Sequence, residues 1–86
     1  MNKVVSAYDI DVEVQILGAI LLYSECLSLV SDSLNSDKFT DIRHKHIYDA
    51  IEFLQKSNVS IDTISVINHL KQKDLLDSIG VPYIAS

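Results

Sequence analysis

The chain has 86 residues, 48% of them hydrophobic, with seven Lys and Arg against twelve Asp and Glu and a net charge of −5. That length holds one small domain, and Ile, Leu, Val and Phe supply 31 of the 86 residues, well above the roughly 20% below which chains stay unfolded. The acidic balance repels a phosphate backbone and argues against a stand-alone nucleic-acid binder.

Two Gly and one Pro are too few turn signals for an all-β domain, so the chain is predicted as an all-α, compact bundle of about five or six short helices. Residues 1–9 read as a flexible N-terminal tail and residues 10–86 as the helical head. The first helix is expected over Ile10–Leu22, capped by Asp9 or Asp11, with acidic residues suiting the positive end of its dipole. Val14, Leu17 and Leu21 form one apolar stripe and Ile16 and Ile20 another, which predicts a helix running through the middle of the domain. Gly18 inside it loses about 1 kcal/mol against Ala, and the expected reason is close approach of a second helix.

Ser24 is expected to cap a second helix over residues 25–34, with Leu27, Val30 and Leu34 on one face. Residues 35–40 read as a loop whose Phe39 folds back onto the core. A third helix over residues 41–56 places His44, Ile47, Ile51 and Leu54 inward, with Lys45–Asp49 and Glu52–Lys56 able to pair on the outer face. Residues 57–61 read as a short extended linker. Asp62 caps a fourth helix over residues 63–73, burying Thr63, Val66, Ile67 and Leu70. A one-turn piece around Leu75, Leu76 and Ile79 ends at Gly80, and Pro82 opens a last helix that is cut after one turn. That ending leads us to expect a piece of a longer polypeptide.

Several chemistries find no residues to carry them. Two Gly 62 positions apart make no phosphate loop. His44 and His46 point about 200° apart on a helix, so they do not share a metal, and no Ser is placed beside a His and a carboxylate. No catalytic, cofactor or metal residue is therefore assigned, and His44 is expected as an inward, hydrogen-bonded histidine. The cluster Arg43, His44, Lys45 and His46 reads as a solvated helix start. The longest apolar run, residues 16–23, is far short of the roughly 20 residues that span a bilayer. No secretory core follows the first residues, and the single Cys26 excludes an internal disulfide. The chain reads as cytosolic, with Cys26 a small buried apolar residue.

In order, Glu13 to Leu17-Gly18-Ala19 and the following aliphatics, Phe39, Arg43-His44, Ile47-Tyr48, Ile61-Asp62, Leu70-Lys71, and Gly80 with Tyr83-Ile84 make a pattern over nearly all the chain. It resembles the N-terminal domain of DnaB-type replicative helicases, departing at Val81-Pro82, where that family carries a second Gly and a small residue. The resemblance implies a compact helical head of a hexameric, ATP- and magnesium-dependent DNA-unwinding enzyme whose motor lies in a later domain. It implies a role in assembling the ring's collar and in binding the primase C-terminal domain or a helicase loader, beside neighbouring helicase subunits, in a bacterial, phage-host or plastid compartment. Leu17, Gly18, Phe39, Ile47 and Ile51 are then packing residues, with His44 opening the third helix and Asp62 capping the next; no partner-contact residue carries over. Without the helical hairpin that follows the head in the family, a monomer or weak dimer is expected. The competing readings are a small DNA-binding regulator using helices three and four as a helix-turn-helix, and an adaptor for a helicase loader.

Overall fold

Each helix begins and ends where a particular side chain or backbone turn requires it. The structure, a computed structural model, describes residues 10–85; the expected flexible tail and the candidate cap Asp9 lie outside the described residues. Among these, six α-helices and two 3-10 turns occur and no strand.

Helix α1, Ile10–Leu22, buries a single stripe, Glu13, Leu17 and Ile20, at steps of four and three. Val14 is 49% and Leu22 77% exposed, so α1 lies along one side of the domain and does not run through its middle. The predicted second helix is broken. Ser24–Cys26 forms a 3-10 turn, which puts Ser24 inside a turn and not at a cap, and α2 is the single turn Leu27–Val30. The Ser28 and Ser33 hydroxyls donate back to the carbonyls of Glu25 and Val30, the local bonding by which serine competes with a continuous helix. Leu27 and Leu34 are nevertheless buried. Cys26 is half-buried against the core and not fully enclosed as expected.

The Ser36–Lys38 turn is capped by the Asn35 side chain, which accepts the Asp37 N–H at 3.0 Å. It delivers Phe39 into the core, 5.1 Å from the ring of Tyr48. Helix α3, Ile42–Lys56, starts at its N-cap Asp41 and buries His44, Ile47, Tyr48, Ala50, Ile51 and Leu54. It is the central element, packed against α1, the Ser36–Lys38 turn and α4. Tyr48 donates to the Leu34 carbonyl, and burial, with the Glu52 charge adding to it, pushes its phenol up to about 12. Lys45 donates to the carbonyls of Ser36 and Asp37, and neither Lys45–Asp49 nor Glu52–Lys56 makes an ion-pair contact among the described residues.

Helix α3 stops on Asn58 at φ 59°: Val59 N–H donates to the Leu54 carbonyl and Asn58 N–H to that of Gln55, a Schellman end that tolerates asparagine in the left-handed region. The segment expected to be extended therefore opens with a helical stop. Helix α4, Thr63–Gln72, begins with a capping box in which Asp62 and Ser65 exchange hydrogen bonds. It buries Val66 and Leu70, while Thr63 and Ile67 are only partly covered. Asp74, at φ 60°, repeats the Schellman ending with Leu75 N–H on the Leu70 carbonyl. Gly80, at φ 93°, separates α5, Leu76–Ile79, from α6, Val81–Ala85. Only glycine takes that angle without strain, and it turns α6 back toward α4. The radius of gyration, 12.3 Å, is that of a chain folded about one core, for which about 12 Å is expected.

Leu17 is 5% exposed and sits in this core. Replacing it with Ala is expected to cost about 2–5 kcal/mol, measured as a shift in the urea unfolding midpoint.

Candidate functional site

The junction of α1, α3 and α6 is held by a polar relay wrapped in apolar residues. Glu13, on the buried stripe of α1, is 0% exposed and His44 1%. Glu13 Oε1 lies 2.7 Å from His44 Nδ1, and His44 Nε2 meets the Tyr83 hydroxyl of α6. Glu13 also accepts the Thr40 N–H at 2.8 Å, the Thr40 hydroxyl at 2.7 Å and the Asp41 N–H at 3.4 Å. Its carboxylate therefore stands at the amino end of α3, where the helix dipole favours negative charge.

Burial pushes the Glu13 carboxyl up, but the hydrogen bonds from His44, Thr40 and the two backbone amides together hold it below its ordinary value. An ionised Glu13 requires the hydrogen on Nδ1 of His44; in a neutral ring Nε2 then accepts from Tyr83 O–H. Asp41 caps α3 through the Arg43 N–H and pairs with the Arg43 guanidinium at 2.7 Å. The side-chain hydrogen bond from Arg43 outweighs burial and lowers Asp41 to about 2. Arg43 in turn lies 4.0 Å over the Tyr83 ring, and that ring stacks on His44.

The acid–imidazole–hydroxyl order has the outline of a nucleophile relay. Here the imidazole is 1% exposed, and the relay ties α1, α3 and α6 together. On the same junction, α1 forms the wall of a mostly apolar groove of about 160 Å³ with Val14, Leu17, Gly18 and Leu21, faced by His44 and Ile47 of α3 and Tyr83 and Ile84 of α6. A Cβ on Gly18 would meet nothing within 4 Å, so the expected close approach of another helix is absent: Gly18 faces the open groove.

Of the residues picked from sequence, Leu17, Gly18, His44 and Ile47 meet at this junction. Phe39 presents its edge to His44, Ile51 is buried farther along α3, and Asp62 stands apart as the exposed cap of α4. The sequence alone does not pair Glu13 and Tyr83 with His44, nor Thr40 with Glu13. The available signal for Glu13 was its register: four before Leu17 and seven before Ile20, it sits on the apolar stripe. The basic cluster is not a patch, since Arg43 is tied to Asp41, His44 is buried, and Lys45 is spent on loop carbonyls.

Replacing Glu13 with Ala strands a buried imidazole and the two backbone amides that lead into α3, an expected loss of about 3–5 kcal/mol in urea unfolding, with Glu13→Gln less damaging. Because the Asp41 pKa is about 2 when folded against 3.8 ordinarily, its contribution to stability is complete above pH 3.8 and is lost as the pH falls toward about 2. Thermal melts across that window are expected to show a shallower acid slope for Asp41→Asn than for the wild type.

A family model described as the DnaB-like helicase N terminal domain matches residues 5–86. The replicative DNA helicase DnaC of Bacillus subtilis is 32% identical over 80 residues, covering 93% of this chain and 18% of that protein. The replicative DNA helicase DnaB of Rickettsia felis is 36% identical over 78 residues, 90% of this chain and 16% of that one. The chain thus spans less than a fifth of the length of these curated relatives. The crystal structure of the N-terminal domain of DnaB helicase from Mycobacterium tuberculosis matches with a TM-score of 0.87 at 30% identity, over 92% of this chain and 56% of that one. With a match over nearly its whole length and the same helical fold, the chain belongs to the DnaB-like helicase N-terminal domain family.

Proposed function

We propose that this chain is the non-catalytic head of a replicative DNA helicase and acts in assembling the helicase ring's collar and in binding a primase or a helicase loader. ATP and magnesium belong, on this reading, to a motor domain carried elsewhere in a longer protein. The observation that carries it beyond family membership is the surface. Among the described residues nine large apolar side chains, from Val59 at 46% to Leu29 at 80% exposure, stand outside the core, and this supports a surface that other proteins cover. The DNA-regulator reading loses its footing because the basic residues it needs are engaged within the fold. No described helix is long and apolar enough to cross a membrane.

The test is titration of this chain, and of a version extended by about 60 residues into the family's hairpin, about the further span that the longer related domain suggests, against the cognate primase's C-terminal domain, with sedimentation of each alone. Primase binding, with dimerisation only in the longer version, is the expected result. Failure of both versions to bind or self-associate would overturn the head reading, and a salt-sensitive shift of duplex DNA by this chain would favour the regulator instead.

A further inference from the structure

We propose that the Glu13–His44–Tyr83 relay is a proton-driven switch, in which a proton added to His44 moves the ring's hold from α6 to α1 and frees α6 to turn about Gly80. The switch needs only the geometry of the head, and neither the collar nor a primase enters it.

The two nitrogens of one imidazole tie α3 to two different helices, and they answer a proton differently. Although burial pushes the Glu13 carboxyl up, the hydrogen bonds it accepts hold it below its ordinary value, so it is a carboxylate that can only accept. Nδ1 therefore carries a hydrogen toward Glu13, 2.7 Å away, whether the ring is neutral or charged. Charging the ring makes that bond an ion pair, stronger than its neutral form. Nε2 reverses. In the neutral ring it accepts the Tyr83 hydroxyl hydrogen; in the charged ring it carries its own, and Tyr83 has to stop donating to it and accept.

The charged and titratable groups around the ring are Glu13 from α1, Asp41 and Arg43 from the start of α3, and the Tyr83 phenol from α6. Arg43 lies 4.0 Å over the Tyr83 ring, and His44 stacks on the same ring with centroids 5.8 Å apart. A charged imidazole thus shares Tyr83 with a second cation, while the gain from its charge falls on Glu13. Helix α6 is built to respond. It has five residues, Val81–Ala85, and joins α5 at Gly80, whose φ of 93° suits glycine alone. The groove of about 160 Å³ separates its Tyr83 and Ile84 from Val14 and Gly18 of α1, so on that side the relay spans an opening that side chains do not fill.

The test follows the isotope-labelled chain by NMR between about pH 8 and 5, the range in which histidine side chains ordinarily change charge. Ring nitrogen shifts of His44 report its tautomer and charge, and amide hydrogen exchange, corrected for its intrinsic pH dependence, reports each helix separately. The expected result is a ring that passes from the Nδ1–H tautomer to the imidazolium while protection of the Ile84 amide of α6 falls about tenfold or more. The amides of Leu17 and Ile20 in α1 keep or gain protection over the same range, and that of Leu70, in the core of α4, is unchanged. Tyr83→Phe keeps the ring and removes the hydroxyl, so His44 should still take up its proton while Ile84 is poorly protected at both ends of the range and loses its pH response. A His44 that stays neutral while the domain is folded, a charged His44 with no change at Ile84, loosening shared by α1 or by Leu70, or a Tyr83→Phe chain with the wild-type response would each overturn the switch.

Discussion

A carboxylate with no exposed surface, Glu13, accepts hydrogen bonds from a buried histidine, a hydroxyl and two backbone amides, and the placement of α1 and α6 on α3 follows from it. Burying a lone charge is prohibitive; burying one that meets this many donors is tolerated, and its geometry is then fixed by them. Leu17 and Ile20 turn one face of α1 inward. The Glu13 network fixes that face on α3, and by aligning His44 it sets where Tyr83, and so α6, comes to rest.

Much of the fold was legible because it rests on local rules. The Asp62 cap, the α3 face and the return of Phe39 to the core each follow from a side chain and its near neighbours. The readings that failed needed distant information. An acidic residue in a first helical turn is so ordinary that Glu13 passed as a dipole partner, although its register with Leu17 and Ile20 marked it as inward. The serines of residues 24–33 looked compatible with a helix surface, and their hydroxyl bonds to the backbone broke it into turns. At Gly18 the sequence predicts a contact and the structure has an opening, a distinction that depends on what lies opposite it. Of the site, His44 could be seen as an inward residue, but its partners sit 31 and 39 positions away, beyond any periodicity.

The division of charge along the chain acquires a spatial meaning in the fold. Among the described residues, 10–37 carry acidic side chains and no Lys or Arg, whereas the basic residues lie in and around α3 and α4 and are partly consumed by their own loops and carboxylates.

The relay also makes three helices into one unit of unfolding. Lifting α1 away would leave His44 without its acceptor and bare the amides at the start of α3; detaching α6 would leave Nε2 of the same ring unpaired. Fraying of either helix therefore costs the hydrogen bonds of the relay in addition to its own packing. A short helix near the end of the described chain is thereby held with the persistence of the core, and motion imposed on α6 by whatever adjoins it is passed through one imidazole to α1.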